Sequence, residues 1–240
     1  MVIYRIHSLK SISKTRIKIL FTFSFMCLFS ASSCVEPNKD ELTLYNNLES
    51  KYNCEIDLKR GVSNASNEES KRYFQVSISE CKQIENPEFV ASSIALETFK
   101  TIKNSNYTHI NIDVSDNEYE FKSSDIEEVI KAELYFHEVF NNIKHKKYDE
   151  VYSALWDKLK KDSNLDDFSS KLKVISSKMS FKDLTLKGFK IIRDNINGVN
   201  TQIIHLVGYF DLDKNNKCIF ELFVPYEFKK KIYGLNLEQV

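Results

Sequence analysis

The chain has 240 residues, 42% of them hydrophobic, with 34 Lys+Arg against 34 Asp+Glu. That is enough length and apolar material for one large or two small packed domains. Five glycines and three prolines exclude collagen-like segments, repeats and long flexible linkers, and the interspersed charges leave no basic arm or patch for nucleic acid.

The charge balance hides an uneven distribution. Arg5, Lys10, Lys14, Arg16 and Lys18 open the chain with no acidic residue among them, and 29 basic residues face 34 acidic ones beyond residue 33. The apolar run Ile19–Phe29 follows, then Ser30-Ala31-Ser32-Ser33-Cys34. A run this short falls below the roughly 20 residues that a helix needs to cross a ~30 Å hydrocarbon core. Basic, then apolar, then small residues is the order of an export signal. The segment resembles a bacterial lipoprotein signal, which implies loss of residues 1–33 and lipid attachment at Cys34. Ala31 departs from the leucine usual at the first lipobox position. A retained membrane anchor and a cleaved, non-lipidated signal are the competing readings. Residues 34–41, acidic from Glu36 to Glu41, read as a tether similar to the post-cysteine segments of Bacteroidetes-type lipoproteins. That resemblance implies lipid anchoring to the outer membrane, on its periplasmic or surface face.

Residues 42–122 read as a small α/β domain. Leu42, Leu44, Tyr45 and Leu48 have helical spacing, ending near Lys51. Asn53–Lys59 and Arg72–Ser79 alternate as strands around the turn-forming stretch Gly61–Ser70. Asn86-Pro87-Glu88 starts a helix, with a capping side chain before a proline at the first helical position. Tyr107–Val114 alternates again, Ser115-Asp116-Asn117 turns, and Tyr119–Lys122 can pair back. Cys54 and Cys81 lie at the outer ends of the first hairpin. They form a candidate disulfide in an oxidising compartment, with buried free thiols as the alternative.

Ser124-Asp125-Ile126-Glu127 reads as a capping box that opens a second domain over 123–240. Three helices are expected: one with an apolar face from Ile126 to Ile143, one over Tyr148–Lys160 burying Trp156, and one from Asn164 to Met179. Four strands end the chain, Leu184–Arg193, Thr201–Asp211, Lys217–Phe228 and Lys231–Leu237, with turns at Asn197-Gly198 and Asp213–Asn216. The fold class is α+β: a small α/β sandwich, then three helices on a curved, cone-like four-stranded antiparallel sheet. The segments KKYDEVYSALWDKLK, NLDDFSSKLKVISSKM and GFKI, in this order before the long hairpins, make the second domain resemble the nuclear-transport-factor-two-like, cystatin-like superfamily. The resemblance implies either a pocket inside the cone, as in isomerases and dehydratases, or a non-catalytic binding or dimerisation module.

Motifs for chemistry are sparse. His137-Glu138 lacks the second histidine of HExxH, because position 141 is Asn141. His145 is too far along for adjacent-turn metal binding, and three mature cysteines without close histidines make no metal site. No phosphate loop, GxSxG, CxxC or cofactor motif occurs. The unusual placement is Glu133 on the apolar face of the first long helix, with His137 four residues on. His205, on a strand, is a third candidate. The three could serve proton transfer or grip a polar ligand, or Glu133 could form an ion pair at the lip of the core. The leading expectation is a lipid-anchored, exported envelope protein acting as a non-catalytic module for a partner protein, glycan or small ligand. The alternatives are a small-molecule isomerase or dehydratase, and a self-associating scaffold that dimerises through the C-terminal sheet.

Overall fold

A computed structural model describes residues 2–4, 37–63, 70–81, 84–102, 106–162, 164–177, 181, 183–196, 199–211, 217–227 and 229–239. The apolar leader run, Cys34 and the turns 197–198 and 213–216 lie outside them. The protein is α+β. In chain order its first part comprises β1 (Val2–Tyr4), α1 (Lys39–Tyr52), β2 (Glu55–Ser63), β3 (Lys71–Ser79), α2 (Pro87–Thr101), β4 (His109–Val114) and β5 (Asn117–Lys122). These strands form one sheet in the order β1-β2-β3-β4-β5. β3 and β4 are parallel, joined by the α2 crossover, and the other pairs are antiparallel. The second part comprises α3 (Ser123–Lys144), α4 (Tyr148–Ala154), α5 (Asp157–Asp162), α6 (Leu165–Ser177), β6 (Thr185–Ile196), β7 (Val199–Asp211), β8 (Lys217–Pro225) and β9 (Gly234–Gln239). Its sheet is an antiparallel meander, β6-β7-β8-β9.

The stretch read as a tether is already structured at its end. Asn38 caps α1 through a reciprocal capping box: its side chain accepts from the Glu41 N–H at 3.0 Å, and Glu41 Oε2 accepts from the Asn38 N–H at 3.1 Å. Glu41 is fully buried, and its other oxygen takes the guanidinium of Arg60 on β2. The pair fastens α1 to the sheet, beside Leu44 and Leu48, which are fully buried.

Cys54 and Cys81 are disulfide-bonded, with Cα atoms 4.7 Å apart. Strict alternation along β3 would point Cys81 the wrong way. β3 instead ends at Ser79, and Glu80 takes φ 56°, turning the chain so that Cys81 meets Cys54. Closing a loop with a sequence separation of 27 is worth roughly 3.5 kcal/mol in the chain-entropy account.

The expected capping box at Ser124 and Glu127 does not form. α3 starts two residues earlier than that box requires, at Ser123, with Lys122 in place of Ser124 at the cap and no side-chain bond. Ser123 is tied down by its hydroxyl donating to the Tyr107 carbonyl at 2.7 Å, while Asp125 accepts the Tyr226 hydroxyl. The helix expected over Tyr148–Lys160 is two helices. Leu155 leaves helical geometry to form a parallel bridge with Ile232, and Trp156 N–H donates to the Ile232 carbonyl at 2.8 Å.

One face of the second sheet is covered by α3. Phe136 packs on Phe220, Phe140 on Phe210 and Phe220, and Phe181 stacks on Phe210. These rings pack between α3 and the sheet. α2 packs against the outer strand β6: Ser92 Oγ donates to the Phe89 carbonyl and accepts the Phe189 N–H at 2.9 Å. A side-chain hydroxyl thus satisfies an edge N–H of β6.

Candidate functional site

The three sequence candidates do not converge. Glu133 is half-buried at the margin of α3 and pairs with Lys100 of α2, so it joins two helices. His137 lies edge-on to Phe136, centroids 5.6 Å apart. His205 is on the opposite face of the second sheet. Residues alternate across a strand, and Leu206, Gly208 and Phe210 of β7 take the α3 side: the Phe136 ring stands 2.8 Å from where a Cβ on Gly208 would lie. His205 therefore faces outward with Phe223 of β8 and Lys190 of β6, its cross-strand neighbours.

His205 has a built environment. Its ring stacks on Phe223 with centroids 4.1 Å apart and planes 9° from parallel, and Phe89 meets it edge-on at 6.1 Å. Nε2 lies 3.0 Å from Glu221 Oε1, and Glu221 Oε2 accepts from Asn236 Nδ2 at 2.8 Å. A carboxylate only accepts, so Nε2 carries the proton and Nδ1 is the basic nitrogen. Burial pushes the His205 pKa down, and the bond to Glu221 opposes that shift. The unfolded chain then takes up a proton, as pH falls through the ordinary histidine range, that folded His205 resists. Its contribution to stability fades on acidification.

Beside this relay lies a half-open groove of about 380 Å³ on the same outer face. Trp156 and Tyr233 form its aromatic wall, ring centroids 5.5 Å apart and tilted by 57°. Ile192, Ile203 and the far side of Phe223 line it, and Lys158 and Asp194 stand exposed at its rim. Lys158 Nζ sits 5.8 Å from the Trp156 ring centre. Gly234 lets the chain lie close here: a Cβ would come to 3.0 Å from the Phe223 ring that supports His205, so that ring would have to give by a few tenths of an ångström. The break between α4 and α5 is what presents Trp156. The Trp156 and Ile232 backbone bonds fix its main chain, and the Tyr233 N–H donates to the Phe223 carbonyl at 2.8 Å. Sequence reading put Trp156 in the core of a continuous helix and missed Tyr233 and Glu221 altogether. The alternation Cys218, Phe220, Leu222, Val224 was the available signal that Glu221 and Phe223 share the other face.

Among the described residues no three His, Cys, Asp or Glu side chains gather to hold a metal ion, and no helix is long and apolar enough to cross a membrane. No known protein family, curated protein or solved structure matches the chain.

Proposed function

We propose that the chain is a non-catalytic binding module, exported and lipid-anchored at Cys34, whose outer-face groove holds a sugar ring of a glycan. The groove of Trp156, Tyr233 and Phe223 carries this reading. Tilted aromatic faces receive the C–H face of a pyranose, and Asp194 and Lys158 at the rim supply a hydrogen-bond acceptor and donor for its hydroxyls. Lys158 against Trp156 disfavours an organic cation, which would otherwise suit an aromatic cage. The half-open shape disfavours an acyl chain, which needs enclosure from water.

Trp156 is the single tryptophan, so its fluorescence reports the groove directly. Titration with cello-, xylo-, manno- and chito-hexaose is expected to give a saturable change with at least one of them. Tyr233→Ala should weaken that binding about tenfold, or ~1.4 kcal/mol. A flat response to all four, or full affinity in Tyr233→Ala, overturns the glycan reading. The anchor rests on the leader sequence, whose removal would also take β1 from the edge of the first sheet, and it is tested separately. A fatty-acid analogue fed to expressing cells should label the wild type and not Cys34→Ser, and equal labelling of both would end that part of the proposal.

A further inference from the structure

A second cleft, of about 830 Å³, lies on the other side of β6, between the outer edges of the two sheets. Among the described residues β5 pairs in the sheet with β4 alone, and β6 with β7 alone. The two edges touch where Phe121 meets Phe189, centroids 5.6 Å apart, and then border the cleft. Its floor is apolar and aromatic, from Tyr119, Phe121, Phe189 and Ile191, and Tyr226 bonded to Asp125 closes one end.

The backbone of both edges is aimed into this space. Ser115 and Asp116 have φ 50° and 62°, the two-residue type I′ hairpin, in which the flanking residues Val114 and Asn117 are a hydrogen-bonded pair. Every second pair repeats that pattern, and the Ser123 N–H donating to the Thr108 carbonyl keeps the same phase. Glu118 and Glu120, the residues between, therefore turn their N–H and C=O groups away from β4. On β6 the Phe189 N–H points outward to Ser92, so Ile191 and Arg193 point outward as well. All four residues line the cleft. Edge groups of this kind are normally blunted or covered. Here α2 meets β6 around Gly188–Lys190, and Ser92 takes the Phe189 N–H.

We infer that this cleft takes an extended peptide segment, added as a strand to the free edge of β5. Alternation in such a segment would set apolar side chains on the Tyr119–Phe121 floor and the intervening ones beside Glu118 and Glu120. Glu118, and Glu120 with its exposed partner Lys71, favour lysine or arginine at the intervening positions, whereas Glu88 across the cleft is already taken by Lys190. Arg193 forms no ion pair among the described residues and favours an acidic residue on the β6 side. This site is independent of the aromatic groove.

The decisive variant is Glu120→Pro. Its N–H faces the cleft, so proline removes an edge donor without breaking the β4–β5 ladder, and edge strands tolerate proline there. Glu120→Ala controls for loss of the carboxylate and of its pairing with Lys71. A displayed library of random decapeptides is selected on the immobilised full chain, and selected peptides are titrated against the wild type and both variants. The expected result is enrichment of alternating apolar and basic residues. Affinity should fall tenfold or more in Glu120→Pro and threefold or less in Glu120→Ala, with thermal unfolding of both within a few degrees of wild type. No enrichment over an unrelated control protein overturns the inference, as do selected peptides that bind Glu120→Pro as tightly as the wild type. A dimer in sedimentation that Glu120→Pro dissolves would show a second copy as the occupant, and would also overturn it.

Discussion

Replacing Arg60 by alanine is expected to cost about 3–5 kcal/mol of folding stability, read from urea unfolding. The cost comes from what the substitution leaves behind rather than from what it removes. Glu41 is fully buried, with one oxygen held by the Asn38 N–H and the other by the Arg60 guanidinium. Without the guanidinium a carboxylate remains inside the protein with its countercharge removed. An uncompensated buried charge is much more costly than a missing surface ion pair. Removing both partners tests this argument. Glu41→Leu with Arg60→Met leaves no unpaired charge of this ion pair and forfeits the reciprocal cap bond, worth about 1 kcal/mol. The double variant should therefore be more stable than Arg60→Ala alone, with strongly non-additive effects. A loss below 1 kcal/mol for Arg60→Ala, or additivity across the cycle, would show that the pair is not what supports Glu41.

The same pair shows where the sequence stops being readable. Glu41 stands in an acidic, polar stretch and looks solvated, because the residue that justifies its burial lies 19 positions on, in another element. Features specified within a few residues are legible: the Asn86-Pro87 start of α2, the alternation of His109–Val114, the Ser115-Asp116 turn and the apolar face of α3 all follow from local geometry. Features decided by a distant partner are not. Leu155 and Trp156 have helical neighbours on both sides, and the bridge that breaks the helix comes from Ile232. The candidate site shares that limit. Ile203, Ile204, Leu206 and Val207 surround His205 with buried residues on both faces of β7, so no alternation marks which way the imidazole points. Only the position of α3, with Phe136 against Gly208, decides it. Glu133 was legible as odd, and its ion-pair partner Lys100 was not, because the crossing of α2 and α3 is a tertiary fact.

Substituting Gly188 by valine is expected to cost about 3–5 kcal/mol, and even Gly188→Ala should lose 1–3 kcal/mol. A Cβ at this position would lie 2.5 Å from the Phe89 carbonyl oxygen, 2.5 Å from Ser92 Oγ and 2.9 Å from Phe89 Cα. Two of those three atoms are backbone of α2, so no side-chain rotation relieves the clash. Either α2 lifts from β6 or the strand bends at the register shift between Leu186 and Gly188. Lifting the helix also parts Ser92 Oγ from the Phe189 N–H and leaves a buried donor unsatisfied. Ser92→Ala isolates that second effect, because it removes the acceptor without adding volume, and should cost about 1–3 kcal/mol. Hydrogen exchange at the Phe189 amide separates the outcomes: faster exchange in both variants, with the larger stability loss confined to Gly188→Val, is the expected pattern. α2 joins the first sheet to the second, so the glycine variants should also unfold over a broader transition as the two parts lose their shared contact. A Gly188→Ala protein as stable as the wild type, with unchanged exchange at Phe189, would show that α2 does not press on β6 and that the two sheets are held together elsewhere.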